Sequence, residues 1–388
     1  MPIVAVVWGG FFLINVNVAV IIPLLPFMRR DLDLGSVEAG AILAAFPVAA
    51  LVGNLVLGPF IDRYGRKRFI AAGGCGAAVT LLATAFAPDA ATVIALRAAT
   101  GLFMPMVGAS VFAAVSDYYP AEARARITGY VTSAAPVAML LSLSLGVVSG
   151  GLLDWRVALA GLAAFAALLA VAAMLLPPTP LALRATLPIG PATYRARLLS
   201  FSGGPDTRRV LLAYLAYSAA IFLFLGLYPA WILEGGGATP ATVGTMLFVG
   251  GLGGVAGALL AGRLARGFRH PLGLCAVAAG ATAAVALLAP LAGQGLVGQA
   301  LLYGGFAFGR DLMLALMLGG AMLLVAPTER ASLNAVLNAL FQTGAAAGGM
   351  ASAWLYAADS SYTTSAAVAA ALLAGAALML RRIAVRQR

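Results

Sequence analysis

Charged side chains are scarce in this 388-residue chain, where Asp, Glu, Lys and Arg together make up 10% of the residues. Soluble proteins carry about 25% charged and about 45–50% apolar residues. This chain is 62% hydrophobic and has a mean hydropathy of +1.00. A water-soluble fold is therefore excluded, and the surplus apolar surface must face lipid. Helices are the natural solution there, because they satisfy the backbone polar groups internally.

Cysteine and histidine are almost absent. Cys75 and Cys275 both fall near helix ends that we expect on the cytoplasmic side, so no disulfide is predicted. Met313 and Met317 lie one turn apart, but no His or Cys stands beside them, so no metal is predicted. No catalytic triad or paired-carboxylate site stands out, and the glycine-rich runs lack the lysine of a phosphate loop. The sequence thus predicts neither an enzyme nor a cofactor.

Turn-forming clusters divide the apolar sequence into twelve runs, each close to the ~20 residues that a membrane-crossing helix needs. The only long polar stretch, 178–209, contains five prolines and is interpreted as a cytoplasmic linker. We therefore predict an all-α membrane protein of twelve transmembrane helices in two pseudo-symmetric six-helix bundles, 1–177 and 210–388. The predicted spans are 3–27, 39–61, 69–87, 90–117, 127–151, 156–177, 210–233, 242–262, 272–292, 296–325, 331–357 and 363–381.

Basic residues are unevenly divided between alternate connections. With a cytoplasmic amino terminus, 19 of the 24 basic residues lie in cytoplasmic segments, and only Arg29, Arg30 and Arg156 lie outside. This positive-inside pattern predicts a multi-pass protein of the inner (plasma) membrane with both termini in the cytoplasm. It also explains the net charge of +11 without a nucleic-acid partner, because basic loops bind anionic lipid headgroups. A monomer is expected.

The two halves of the chain contain an internal sequence repeat. Residues 58–69 align with 258–269, so that Arg63 matches Arg263. A duplicated six-helix unit with a small-molecule site near the middle of the membrane is a known transporter architecture. The repeat therefore favours a transporter.

Segment 58–68 resembles the signature that the major facilitator superfamily carries between its second and third helices, with Phe60 in place of the usual leucine. In the fourth span, Arg97 and Gly101 are similar to that family's arginine-bearing pattern. The signature positions are filled by Gly58, Asp62, Arg63, Gly65, Arg66 and Lys67.

The resemblance implies that the charged turn is a conformational latch, which holds cytoplasmic helix ends together in one transport state. Asp62 would accept hydrogen bonds from loop donors, and Asp117 would pair with Arg66 or Arg68. A simple topology anchor is the alternative. The implied latch residues are Gly58, Asp62, Arg63, Gly65, Arg66, Lys67, Arg68 and Asp117.

Arg310 and Asp311 are two adjacent charged residues near the middle of the predicted span 296–325, inside the predicted membrane region. A charge at that depth costs at least ~2.5–3.5 kcal/mol on insertion scales. Neighbouring side chains on a helix point about 100° apart, so the two need not satisfy one another. The alternative is a helix break in the preceding glycines, which would put the pair at the outer surface on a shorter helix, 310–325. As the only acid predicted deep in the bilayer, Asp311 is the candidate proton carrier by elimination.

Other polar and aromatic residues are candidates for the substrate site. The resemblance implies a cavity lined by the first, fourth, seventh and tenth helices, which places Asn15, Arg97 and Asp311 there. Tyr217, Phe224 and Tyr228 form an aromatic stripe on the seventh span. We expect this stripe either to bind an apolar substrate or to serve as ordinary helix packing. Asn334, Asn338 and Gln342 form a polar stripe on the eleventh span. We expect this stripe either to contact substrate or to join neighbouring helices.

The favoured function is export of a small, largely apolar organic molecule, a drug or metabolite, by proton antiport through alternating access. The glycines of 146–151 are similar to those near the end of the fifth helix in the family's antiporters, although the proline found there is absent. One alternative is proton-coupled uptake of a small organic anion, with Arg97 and Arg310 as carboxylate clamps. The other is a membrane sensor or assembly factor that transports nothing.

Overall fold

The computed structural model shows a bundle of α-helices. Its description covers residues 2–119, 127, 130–131, 133–177, 204–235, 238–268, 270–293, 295–324, 330–358 and 362–386. Across these ranges we number fourteen helices. They are α1 (Pro2–Ala19), α2 (Ile21–Asp31), α3 (Ser36–Tyr64), α4 (Arg66–Ala85), α5 (Ala90–Tyr118), α6 (Ala134–Leu152), α7 (Trp155–Met174), α8 (Pro205–Gly226), α9 (Tyr228–Gly235), α10 (Pro240–Ala265), α11 (Pro271–Leu291), α12 (Leu296–Met322), α13 (Arg330–Ala358) and α14 (Thr363–Arg386).

Two of the predicted crossings are pairs of helices. The first consists of α1 and α2, which meet at Val20 with a bend of 43°. Pro23 and Pro26 in α2 have no amide hydrogen, so carbonyls in the preceding turns lose their helical partners. The seventh consists of α8 and α9, which meet at Leu227 and together form one 31-residue apolar segment.

The helices account for twelve crossings. In the described part of the chain, ten segments are long and apolar enough to cross a membrane, and the bent α1–α2 pair makes eleven. The remaining helix, α13, has 29 residues, so it is about 43 Å long and also long enough. The all-α, twelve-helix fold in two bundles is thereby confirmed.

Most contacts between helices lie within one half of the chain. In the first half, α5 packs on α1, α3 and α4, while α7 covers α4; in the second half, α12 packs on α10 and α11, while α14 packs on α8 and α11. In the described part of the chain, the halves meet mainly along three helix pairs, α3 with α13, α6 with α10, and α2 with α9. Any motion between the halves must therefore open or close these three seams.

Several expected boundaries differ from the structure. The predicted charged turn is two helices joined by one residue: α3 continues to Tyr64, Gly65 has a φ of +92°, and α4 begins at Arg66. A positive φ favours glycine, which explains the residue found at this reversal. In the predicted linker, residues 205–209 belong to α8, and residues 178–203 lie outside the described part of the chain.

Candidate functional site

The buried ion pair Arg310–Asp311 lies at the midpoint of α12. This helix is continuous from Leu296 to Met322, so the glycines before the pair do not form the helix break that the outer-surface alternative required. Arg310 is 3% exposed and Asp311 is 8% exposed. The two side chains form a bidentate contact, with Nε to Oδ1 at 3.0 Å and Nη2 to Oδ2 at 2.7 Å. The sequence did not require these adjacent residues to pair, but in the structure each is the hydrogen-bonding and charge partner of the other.

Residues of three helices surround the pair. Tyr217 on α8 donates a hydrogen bond from its hydroxyl to the backbone carbonyl of Arg310 at 2.9 Å. The phenol of Tyr303, two turns earlier on α12, lies beside the guanidinium. On α10, a Cβ at Gly254 would clash with Asp311 Oδ2, so only glycine leaves room for the carboxylate. The pair therefore occupies a space enclosed by α8, α10 and α12.

The two charges of the pair depend on each other. An ionised Asp311 balances the Arg310 charge in a region where an unpaired charge is costly. Adding a proton to one carboxylate oxygen removes that balance and leaves the guanidinium in need of a new partner. Arg310 Nη1 is buried and makes no hydrogen bond to any described residue. The charge of Arg310 is thus balanced by Asp311, while one of its donors has no partner among the described residues.

Arg97 is the second buried cation, and it lies in the first half. Its side chain is 1% exposed. Nη2 donates to the backbone carbonyl of Asn17 at 3.0 Å, next to the break between α1 and α2, and the guanidinium lies 4.8 Å from the centre of the Phe46 ring. Nε and Nη1 make no hydrogen bond to any described residue. Arg97 therefore stabilises the bent crossing and keeps two donors unused.

The two cations are not brought together. The polar and aromatic partners of Arg97 come from α1 and α3, whereas those of Arg310 come from α8 and α12. Asn15, half-buried on α1, donates to the carbonyl of Phe11 at 2.7 Å, within its own helix. The described contacts therefore give two separate polar centres, one in each half.

The polar stripe of α13 borders the other half of the protein. Asn338 donates to Oδ1 of Asn54 on α3 at 3.4 Å, which joins the two halves. Gln342 is 6% exposed, and its Oε1 has no hydrogen-bond partner among the described residues. The side chain of Asn334 lies outside the described part of the chain. Asn338 thus has the helix-joining contact that was one of the two expectations for the stripe.

The aromatic stripe of the seventh crossing is fully buried in the second half. Phe224 stacks on Phe306 of α12 with ring centres 4.0 Å apart, and Tyr228 donates to Oε1 of Gln299 at 2.8 Å. Tyr217 uses its hydroxyl on the Arg310 carbonyl. These contacts correspond to the packing alternative, with Tyr217 also in direct contact with the ion-pair residue.

The structure describes only part of the implied latch. Arg66 is buried at the start of α4, while Arg63 and Arg68 are exposed. The guanidinium of Arg63 lies 5.8 Å from the ring centre of Tyr64. The side chains of Asp62 and Asp117 lie outside the described part, as does the burial of Gly58, so the expected pairing of Asp117 stays a prediction.

A contact between the halves was missed by the sequence analysis. Glu234 on α9 lies 3.9 Å from Arg29 of α2 and accepts a hydrogen bond from the hydroxyl of Tyr356 on α13 at 2.6 Å. Glu234 therefore joins the two halves at the end of the bundle where α2 and α9 meet. The only sequence signal was an acid directly after an apolar span, opposite one of the three basic residues expected outside.

The fold is that of an all-α membrane protein made of two helical halves. The chain belongs to the Major Facilitator Superfamily, whose family model matches residues 7–310. It is therefore a multi-pass membrane transporter and not an enzyme.

Similar curated proteins include transporters of different cargo. A D-xylose transporter of Levilactobacillus brevis is 27% identical over 176 residues, 44% of this chain and 38% of that protein. The multi-drug resistance efflux pump PmrA of Streptococcus pneumoniae is 27% identical over 151 residues, 38% of this chain and 35% of the pump. The quinolone resistance protein NorA of Staphylococcus aureus is 25% identical over 141 residues, 36% of each chain. The matches thus span little more than a third of each relative's length.

Solved structures share the fold over nearly the whole chain. A bacterial homologue of the human lysosomal transporter Spinster, inward-facing and occupied, has a TM-score of 0.78 at 13% identity, covering 99% of this chain and 96% of that one. The human organic anion transporter MFSD10 has a TM-score of 0.71 at 19% identity, covering 98% and 99%. At these identities the likeness establishes the fold alone.

Proposed function

We propose that this transporter exports a small, largely apolar organic molecule, a drug or metabolite, by proton antiport through alternating access. The observation that carries the proposal is the buried Arg310–Asp311 pair at the middle of α12. An ionisable group at this depth is expensive, so its presence indicates a function such as proton transfer. Efflux pumps among the similar proteins support the direction of transport.

The proposed coupling uses the two states of Asp311. While ionised, it holds Arg310 in a bidentate contact; once protonated, it releases the guanidinium. The halves would then rock about the α3–α13 and α6–α10 seams, so that the site exchanges sides. An apolar cargo fits α8, α10 and α12, because most of their buried side chains are apolar.

The test is transport by purified protein in liposomes, with ethidium as the lipophilic probe and an imposed pH gradient as the driving force. Wild-type protein is expected to move ethidium against its gradient, and Asp311→Asn is expected to lose the pH-gradient dependence. Because Asn leaves Arg310 buried without a counter-charge, it also costs about 3–5 kcal/mol. The double variant R310Q/D311N removes both charges and is expected to recover stability without recovering coupled transport.

The matched control is Asp206→Asn, which breaks the 2.9 Å ion pair with Arg209 at the start of α8, away from the helix midpoint. It is expected to keep pH-driven transport. Full pH-gradient dependence in folded Asp311→Asn protein would contradict the proposal.

A second candidate is proton-coupled uptake of a small organic anion. The unused, buried donors Nε and Nη1 of Arg97 and Nη1 of Arg310 favour it, because a carboxylate could accept from them. Thermal shift distinguishes the two. Stabilisation of the purified protein by benzoate, dependent on Arg97 and Arg310, without any shift by ethidium would favour uptake.

We propose that the protein lies in the inner membrane as a monomer, with both termini in the cytoplasm. The joined α2–α9 end would then face outward. All three basic residues expected outside form ion pairs there: Arg29 pairs with Glu234, and Arg30 and Arg156 both pair with Asp31. These local partners give a reason for basic residues on that side, against the general bias.

A further inference from the structure

A cleft between α4 and α7 lies apart from the buried ion pair. It has a volume of about 350 Å³ and begins at the first turn of α4. Its lining residues are Lys67, Arg68, Ala71, Ala72, Cys75 and Met174. Most of these side chains are small or apolar and several are exposed, so the cleft opens on the surface of the bundle and not on its centre.

The mouth of the cleft has a concentrated positive charge. Lys67 and Arg68 lie in the first turn of α4, which has no acidic residue and no side-chain cap at Gly65. Neither cation forms an ion pair with a carboxylate of the described residues. Cations at a helix amino terminus are unfavourable, because the helix dipole is positive there. An anion at this position would offset both the dipole and the two side chains.

The walls of the cleft distinguish a lipid from a free anion. Below the two cations, Ala71, Ala72 and Met174 present hydrocarbon, and the exposed surface continues toward the membrane centre along Val79 of α4 and Val171 of α7. A free phosphate needs the charges but gains nothing from an apolar groove. A phospholipid uses both, with its headgroup at the cations and the start of an acyl chain in the groove.

We propose that this cleft, formed by Lys67, Arg68, Ala71, Ala72, Cys75 and Met174, binds an anionic phospholipid. The site does not depend on the proposed transport function. Its occupant would bridge α4 and α7, which pack on each other, and would neutralise the start of α4. The lipid is therefore expected to stabilise the folded protein.

Native mass spectrometry tests the site on full-length protein in detergent with equal amounts of phosphatidylglycerol and phosphatidylcholine. Wild-type protein should retain phosphatidylglycerol preferentially. The double variant K67Q/R68Q should lose about fivefold in preference for each cation removed, the factor expected for a basic side chain at an anionic surface. The exchange variant K67R/R68K keeps both charges and should keep the preference.

Two further variants separate the charges from the groove. Ala72 is exposed, so Ala72→Trp is expected to fold, to fill the groove, and to lower phosphatidylglycerol retention without a change in charge. R381Q/R382Q removes two exposed cations near the carboxyl end of α14 and should leave the preference unchanged. Sodium phosphate should give much less thermal stabilisation than phosphatidylglycerol in the wild-type protein.

Three results would overturn the proposal. One is an unchanged lipid preference in K67Q/R68Q, and another is an equal loss in R381Q/R382Q, which would indicate a general charge effect. The third is equal stabilisation by phosphate and phosphatidylglycerol with no effect of Ala72→Trp, which would indicate a site for a free anion.

Discussion

At the residue scale, the central feature is a charged pair made by neighbours in the sequence. The sequence located Arg310 and Asp311 in the middle of a span, because two charges interrupt a long apolar run. It could not predict that they bind each other, since this depends on how the long Arg310 side chain folds back onto Oδ1 and Oδ2. Nor could it identify Gly254, one of several glycines on α10, as the residue that leaves space for the carboxylate.

Gly254→Ala is expected to disturb the ion pair. The new Cβ would clash with Asp311 Oδ2 and approach Arg310 Nη2 to 3.0 Å, so the pair must shift. Overpacking of this kind costs about 1–3 kcal/mol. The measurement is the thermal unfolding midpoint in detergent, together with pH-driven ethidium transport, and both are expected to fall.

The control for that substitution is Gly262→Ala on the same helix. No heavy atom of a described residue lies within 4 Å of a Cβ built at Gly262, so alanine should be neutral or stabilise α10 by up to about 1 kcal/mol. Equal effects of the two substitutions would mean that Gly254 has no special role beside Asp311.

At the element scale, the apolar runs predicted the membrane-crossing helices well. The positions where these helices bend or end were harder to predict from the sequence. Charge density suggested a turn over 58–68, whereas basic residues are compatible with helix and only Gly65 leaves it. The bend at Val20 lies just before two prolines, and next to it Arg97 of another helix donates to the carbonyl of Asn17. Such a partner lies 80 residues away in sequence, so local patterns carry no signal for it.

His270 provides a pH-dependent cap for α11. Its Nδ1 accepts a hydrogen bond from the backbone N–H of Leu272 at 3.2 Å, and burial lowers the pKa of the imidazole below 6.5. Protonation converts Nδ1 into a donor and breaks the cap. Because the pKa is lower in the folded state, the stabilisation is fully present above pH 6.5 and is lost as the pH falls through the folded-state pKa.

Thermal unfolding as a function of pH checks the cap. His270→Asn, whose amide oxygen accepts at any pH, is expected to flatten the decrease in stability below pH 6.5, relative to wild type. His270→Ala should be less stable than wild type at pH 8 and should converge with it at low pH. A wild-type profile that is parallel to both variants would exclude a role for His270.

At the scale of the whole molecule, two halves and twelve crossings were predictable from composition, the internal sequence repeat and the distribution of basic residues. The seams between the halves were not, because they depend on close approaches such as Gly40 on α3 against Ala353 on α13. The contacts of Glu234 likewise depend on how α2, α9 and α13 pack, so the sequence alone does not predict them. Sequence thus predicts which segments cross the membrane, and packing decides where the halves touch.

The proposal that the halves rock against each other predicts that locking a seam stops transport. A Cβ built at Gly40 lies 3.2 Å from Cβ of Ala353, so the pair G40C/A353C, in a chain with Cys75 and Cys275 replaced by alanine, is placed to form a disulfide between the halves. The control pair, G74C/A170C, has a similar separation of 3.1 Å but joins α4 to α7 within one half.

Ethidium transport by these two variants in liposomes, before and after oxidation and again after reduction, is the most direct measurement of this mechanism. Oxidised G40C/A353C is expected to lose transport and to regain it on reduction, while oxidised G74C/A170C continues to transport. Undiminished transport by fully cross-linked G40C/A353C would contradict alternating access by movement of the two halves.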